Sequence, residues 1–388
     1  MRHQNTVLHD LLKHLPWAVF DALVETHQAD KHVRGLTTKS QLVALLYGQL
    51  SGAASLRALV VDLESHANRL YHLGATPVRR SSLSDANALR PSAVFSELFD
   101  EMVARAHAGL RRKLGDSVYL LDASSLRLSQ GSADWARYSA KVCGAKMHVI
   151  YDADAERPIY AAVTPSRVND ITAAKAMPIE AGATYVFDLG YYDYGWWARL
   201  DAEDCRIVTR FKKNTPLSVI EELPLPEDPP ADSNILSDRI GLLPRRQARS
   251  RKNPFAGPVR EVRVKTDNDK ILRILSNDLD ATAQQIADLY KRRWDIELFF
   301  RWVKQTLKIK HFIGRTENAV RIQIAVALIA FLLLHLARAA QNAVKSPLAF
   351  ARLVRTNLIL RKRIDELIRP EKTTTAQSNQ LSLLHAEI

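Results

Sequence analysis

The sequence predicts an α/β protein. Its core is a mixed sheet with helices on its faces, interrupted by a β-rich insertion and flanked by a helical N-terminal domain and a helical C-terminal region. Three observations predict this. Apolar residues recur at helical spacing through residues 1–112. After Gly115 short apolar runs replace that pattern, and two of them, Val118 to Asp122 and Thr184 to Asp188, end in an acid. From about residue 283 the helical period returns, with charge on one side and an apolar face on the other.

Leu8, Leu11, Leu12 and Leu15 form the first helical repeat, and Pro16 ends it. Leu42, Val43, Leu45, Leu46 and Leu50 give a second, with Thr37-Thr38-Lys39-Ser40 as its capping start. Ser55 to Leu70 predicts a third helix, and Ser92 to Leu114 a long fourth. Arg57, Arg69, Arg79, Arg80 and Arg90 punctuate the set. The pattern suits a solvated bundle and a DNA-binding domain equally, and no clean helix-turn-helix stands out.

Residues 113–211 read as the first part of the core. Val118 to Asp122, Met147 to Tyr151 and Ile159 to Val163 predict three neighbouring strands, with a turn from Asp152 to Pro158. Asp170 to Glu180 predicts a helix, Thr184 to Asp188 a strand, Tyr194 to Asp204 a helix and Arg206 to Phe211 a strand. Residues 212–282 are the β-rich insertion: a Pro-rich loop from Pro224 to Pro230, a basic loop from Arg245 to Lys252, then strands over Val259 to Lys265 and Ile271 to Ser276. Residues 283–340 return to the core, 341–370 form a basic helical region, and 371–388 a polar tail expected to be disordered. No internal repeat is visible.

The net charge of +13 and the pI near 9.7 point to a polyanionic partner, with nucleic acid first because the basic residues are spread along the chain. Cys143 and Cys205 form no CxxC pair, which argues against a zinc site or a disulfide framework and suits a reducing cytoplasm. The first residues carry charges and histidines where a signal peptide needs an apolar run. The stretch Ile322 to Ala337 is shorter than a membrane span needs and contains Gln323 and His335, so it is expected to be a buried helix beneath the charged one.

That charged helix carries the chemistry. Tyr290, Arg293, Glu297 and Lys304 sit at offsets 0, 3, 7 and 14. On one continuous helix they fall within roughly a 60° arc, which offers a phenol, two cations and an acid on one face. The opposite arc carries Leu289, Ile296, Phe299, Phe300, Val303 and Leu307. Asp122 and Asp188 each end a predicted strand, where ligand sites of open sheets lie. Three carboxylates from separate segments can bind Mg²⁺ through oxygen, and two such ions clamp the attacking and leaving oxygens of a phosphoryl transfer. The bland readings are that Asp122 caps a helix, that Asp188 sits in a plain glycine turn, and that Glu297 only pairs with Arg293 and Arg301.

The Y-(2)-R-(3)-E-(6)-K spacing of Tyr290, Arg293, Glu297 and Lys304 resembles the signature of IS4-type bacterial insertion-sequence transposases. Leu120-Leu121-Asp122-Ala123-Ser124 resembles the block around their first catalytic aspartate, and Asp188-Leu189-Gly190-Tyr191 the second. The resemblance covers roughly residues 115–340, and the helical N-terminal region fits the layout. It implies a DDE transposase with an RNase H-like core. Asp122, Asp188 and Glu297 would bind two Mg²⁺ ions, with Mn²⁺ able to substitute. Tyr290, Arg293 and Lys304 would hold phosphates, and a homodimer would join transposon-end DNA to target DNA. Many relatives have Asp-Arg-Gly-Tyr in the second block, and Leu189 replaces that arginine here.

Further DNA-contact candidates are Trp294, Arg210, Lys212 and Lys213, the loop from Arg245 to Lys252, and Lys146. Of Trp196 and Trp197 at least one is expected in the core, and His148 is expected to be a satisfied core histidine. The competing functions are an RNase H-like DNA nuclease without strand transfer, a non-catalytic DNA-binding protein derived from a transposase, and a basic helical interaction protein.

Overall fold

A computed structural model describes residues 5–108, 117–225, 234–246, 252–307 and 314–368. The end of the helix expected to reach Leu114, the tail from Glu371, and most of the loops Pro224 to Pro230 and Arg245 to Lys252 lie outside the described residues.

Helices α1 (Val7–Leu12), α2 (Trp17–Thr26), α3 (Thr38–Ser51), α4 (Leu56–Ser65), α5 (Ala67–Leu70), α6 (Arg80–Leu89) and α7 (Ala93–Ala108) build the N-terminal part. Thr37 caps α3 by accepting from the Ser40 N–H at 3.1 Å, and Gly52 ends it in the left-handed region at φ +77°. The single helix expected over Ser55 to Leu70 is two. His66 leaves helical geometry at φ −114°, and its N–H bonds back only to Leu63 and Glu64. The sequence pattern did not reveal α2 or α6. Only Phe20 of α2 is fully buried, and α6 buries just Leu83, Ala86 and Asn87, so neither shows a broad apolar stripe.

The core follows as β1 (Val118–Leu128), α8 (Ala133–Ala136), β2 (Arg137–Ser139), β3 (Val142–Asp152), β4 (Arg157–Pro165), α9 (Asp170–Ala174), β5 (Thr184–Phe187), α10 (Tyr194–Ala202) and β6 (Arg206–Arg210). Then come β7 (Ser218–Leu223), β8 (Ile235–Leu242), β9 (Pro258–Lys265) and β10 (Ile271–Ser276). Helices α11 (Ala283–Lys291), α12 (Trp294–Thr306), α13 (Glu317–Ala339) and α14 (Pro347–Asn357) complete the described chain. Helix α9 is shorter than the expected Asp170 to Glu180 because Pro178 lacks the N–H that helix continuation needs.

The strands form one sheet in the order β2-β3-β1-β5-β6-β10-β9-β8-β7, with β4 also paired to β3. Strands β1, β5 and β6 run parallel, while β4, β3 and β1 alternate in direction. Three antiparallel strands followed by two parallel ones make the RNase H-like core. The strands of segment 212–282 extend that same sheet through the β6–β10 pairing.

Side chains alternate across β1 with period two. Tyr119 and Leu121 face a core with Phe187, Trp196, Trp197 and Ile207, whereas Leu120 faces a core with Ile296, Val303 and the apolar length of α13. The N-terminal helices share this second core: α3, α6 and α7 all pack on α13. Helix α13 is long and apolar enough to cross a membrane, but 78% of its most apolar window is buried inside the protein. It lies under α12 as expected, through Phe299 and Trp302 against Phe331.

Candidate active site

Strand register builds the floor of the site. The parallel pair β1–β5 ends at Leu121↔Phe187, and β5–β6 ends at Phe187↔Thr209. The next residues on the three strands are Asp122, Asp188 and Arg210, side by side at the carboxyl edge, with adjacent strands about 4.8 Å apart. The pairing of β1 corrects the expected strand end at Asp122. Asp122 does not end its strand, since β1 continues to Leu128 by pairing with β3 from Asp122↔Val149 to Leu128↔Cys143. What stops after Leu121 is the pairing with β5, so the acid still stands where the parallel edge opens.

The alternation that places Leu120 toward α12 places Asp122 on the same face. Glu297 therefore comes down over Asp122. The connecting group is Arg293, whose Nη2 lies 2.7 Å from Glu297 Oε1 and whose Nη1 lies 3.9 Å from Asp122 Oδ2. Its Nε is buried without a partner. Asp122, Ser124, Glu297, Arg301, Lys304 and Gln305 line one cleft of about 320 Å³.

The four signature residues do not share one helix. Tyr290 is the penultimate residue of α11 and Arg293 is the N-cap of α12. Between them the chain tightens into a turn in which the Arg293 N–H bonds Tyr290 O at 3.1 Å and the Asp295 N–H bonds Arg292 O at 2.9 Å. Both arginines keep helical dihedrals, so side-chain periodicity carried no trace of the break. Tyr290 is only 8% exposed. Burial pushes its phenol up, against the pull of Arg293 and Arg210, so it stays a hydrogen-bond donor.

Burial also pushes the Asp122 carboxyl up to about 6. The Ala123 N–H and Arg293 oppose that shift, and the charges of Asp188 and Glu297 reinforce it. Desolvation thus outweighs the pull of Arg293 on this carboxyl. Asp188 accepts the Gly190 N–H at 2.8 Å, the turn-forming contact of the bland reading. Among the described residues, no group of three or more His, Cys, Asp or Glu side chains is already set to hold a metal ion. The donor chemistry nevertheless fits a hard divalent cation: the converging groups are carboxylates, and a guanidinium already stands between two of them.

A model described as the transposase DDE domain matches residues 113–333, and a domain of unknown function (DUF4372) matches residues 3–76. The chain belongs to the DDE transposases. It is 36% identical over 288 residues to a Sinorhizobium fredii chain named as transposase y4zB, covering 74% of this chain and 80% of that one. A Geobacillus stearothermophilus chain named for insertion sequence element IS5377 is 28% identical, over 63% of each chain. A Synechocystis chain named for IS4SA is 41% identical over 66 residues, 17% of this chain and 20% of that one. These names bear out the resemblance to bacterial insertion-sequence transposases of the IS4 type. A piggyBac transposase synaptic complex with hairpin DNA aligns at a TM-score of 0.46 and 13% identity, over 98% of this chain and 85% of that one. The family assignment rests on the sequence matches.

Around this transposase's acids the remaining candidates divide. Trp294 is 55% exposed, and Arg210, Lys212 and Lys213 are exposed beyond the sheet edge. Arg273 holds the loop carrying those lysines by donating to the carbonyls of Lys212, Lys213 and Thr215 at 3.0, 2.9 and 3.1 Å. Trp196 and Trp197 are both buried, so neither offers a face to a base. Lys146 bonds Asp170 at 2.9 Å and the Val168 carbonyl at 3.1 Å, so its charge is already engaged inside the protein. His148 is fully buried but only half satisfied: Nε2 meets Thr164 Oγ1 at 2.8 Å, and Nδ1 has no hydrogen-bond partner, with Asp170 Oδ1 3.9 Å away.

Two groups near the acids were not singled out from sequence. The Tyr191 hydroxyl is buried without a partner, and its phenol is raised by burial and by Asp122, Asp170 and Asp188. Asp170 stands beside Asp188 across Gly190. Tyr191 belongs to the second motif block, so its place in the chain was the available signal. Asp170 carried none.

Proposed function

We propose that this DDE transposase cleaves phosphodiesters at the ends of its own insertion sequence and joins the resulting 3′-OH ends to target DNA. The reading is supported by two placements: Asp122 and Asp188 follow paired positions on the neighbouring strands β1 and β5, and Asp122 and Glu297 line one cleft. These three carboxylates are the residues that would hold two divalent cations, Mg²⁺ or Mn²⁺. When bound, such ions activate the attacking hydroxyl and stabilise the leaving oxygen of a phosphoryl transfer.

The rest is work for this chain's own side chains. Arg293 neutralises Glu297 and Asp122, and its guanidinium would also serve a DNA phosphate. Tyr290 donates its phenol proton to a phosphate oxygen and makes no covalent bond to DNA. Lys304, lining the same cleft, adds a point charge on the backbone. Arg210, Lys212, Lys213 and Trp294 extend this surface past the site. Two ends must be held together for joining, which supports a homodimer on DNA, acting in the cytoplasm.

The test is strand joining. A labelled duplex with the element's own end, a plasmid and Mg²⁺ should yield labelled plasmid. Cleavage without joining would favour the nuclease, and binding with neither reaction would favour the non-catalytic protein.

A further inference from the structure

We propose that the cleft between α4, α6 and the start of α13 is a second DNA-backbone site, apart from the one holding Asp122 and Glu297. The proposal rests on the reading of DNA as substrate and names where a further stretch of it is held. The cleft measures about 640 Å³ and is lined by Arg57, Arg80 and Arg315 together with Ser55, Ser84 and Thr316. Among the described residues it shares no lining residue with the acidic cleft, and no acid lines it. All three arginines are exposed, and among the described residues none makes a side-chain hydrogen bond or ion pair.

The placement of these cations is informative. Arg57 is the second residue of α4, Arg80 the first of α6, and Arg315 directly precedes Thr316, the N-cap of α13. Helix N-termini favour negative charge, so three arginines at three N-termini oppose the helix dipoles unless an anion lies between them. Neither α4 nor α6 has an acid in its first turn, and Glu317 of α13 is committed to Arg321 at 2.6 Å. Ser55 and Thr316 cap their own helices, whereas α6 has no side-chain cap, so its first N–H groups remain open to a phosphate.

The cleft is also held rigid. Asn318 in the first turn of α13 donates to the Asn87 and Arg90 carbonyls at 3.0 and 2.6 Å and accepts the Ser92 N–H at 3.2 Å. The Arg315 carbonyl accepts from Ser132 Oγ at 2.8 Å and Trp135 Nε1 at 3.2 Å. Such bracing lowers the ordering cost of binding a stiff polyanion.

The experiment compares the full-length protein with R57Q/R80Q/R315Q and with a control, R105Q/R352Q/R361Q, that removes exposed arginines elsewhere. Binding to duplex DNA is titrated in EDTA across a salt series, and Mg²⁺-dependent cleavage is read at saturating protein. The cleft triple should bind at least tenfold more weakly, with a log K against log salt slope shallower by roughly 2–3. Its cleavage at saturation should persist, and the control should change far less. Equal losses in the two triples, or none in the cleft triple, would overturn the second site while leaving the transposase reading intact. Wild type that binds no DNA would overturn both. Should the cleft triple melt early, phenylglyoxal labelling of wild type decides: DNA should slow modification of Arg57, Arg80 and Arg315 severalfold, and unchanged labelling would refute the site.

Discussion

Arg293 and Glu297 are ion-paired at 2.7 Å, across a helix start that also brings the guanidinium to 3.9 Å from Asp122. One cation thus lies between two carboxylates proposed to hold metal. Arg293→Ala removes it and leaves the acids to repel one another. The metal-free variant should melt several degrees below wild type, and Mg²⁺ should raise its Tm more than it raises that of wild type. Scanning fluorimetry with and without Mg²⁺ checks this, and equal Mg²⁺ shifts would count against the arrangement.

Gly190 keeps Asp188 in place. A Cβ there would meet Asp188 Oδ1 at 2.9 Å and Asp170 Oδ2 at 3.3 Å. Gly190→Ala should move the carboxylate and cut the cleavage rate by at least tenfold, with stability changed by no more than about 1 kcal/mol. Parallel activity and denaturant curves decide, and wild-type activity would show that the contact is relieved without consequence.

His148 sets an acid limit on stability. Burial lowers its pKa, while Asp170, 3.9 Å from Nδ1, pulls the other way and Lys146 adds to the lowering; together they leave it at about 4. Thr164 holds the other nitrogen. A pKa below the unfolded value means that the neutral ring contributes fully above about pH 6.5 and that this is lost as pH falls toward 4, a loss on the order of 3 kcal/mol. His148→Gln should flatten the stability profile over that window. An unchanged slope would remove His148 as its source.

A buried ion pair joins β8 to β9 within the insertion and anchors the segment that leads into α11. Arg260 Nη2 bonds Asp238 Oδ2 at 2.5 Å, with side chains only 7% and 4% exposed. The same guanidinium donates to the carbonyls of Leu279 and Ala281, just before α11. Asp238→Ala strands the arginine and should cost about 3–5 kcal/mol by urea unfolding. A loss below about 1 kcal/mol would mean that solvent reaches the pair.

Much of this was legible in the sequence because it depends on local pattern. The two strand-plus-acid runs, the apolar face of Ile296, Phe299, Phe300 and Val303, and the buried helix through Ile322 all follow from period two or period 3.6. What was hidden depends on partners distant in sequence. The extension of β1 past Asp122 is fixed by β3, and α6 is too polar to show a face. The turn between Tyr290 and Arg293 keeps helical dihedrals, so spacing alone read two helices as one. The row of Asp122, Asp188 and Arg210 exists only through the register of three strands.

The most direct measurement is cleavage of a labelled fragment carrying the gene's own flanking end, in Mg²⁺ or Mn²⁺, by wild type beside Glu297→Gln. The acid cluster predicts that wild type cuts at the element boundary only with metal, and that the variant binds the fragment, melts normally and cuts at least a hundredfold more slowly, as expected when a ligand of the catalytic metals is lost. Equal cleavage by both proteins would remove Glu297 from the chemistry and contradict the site described here.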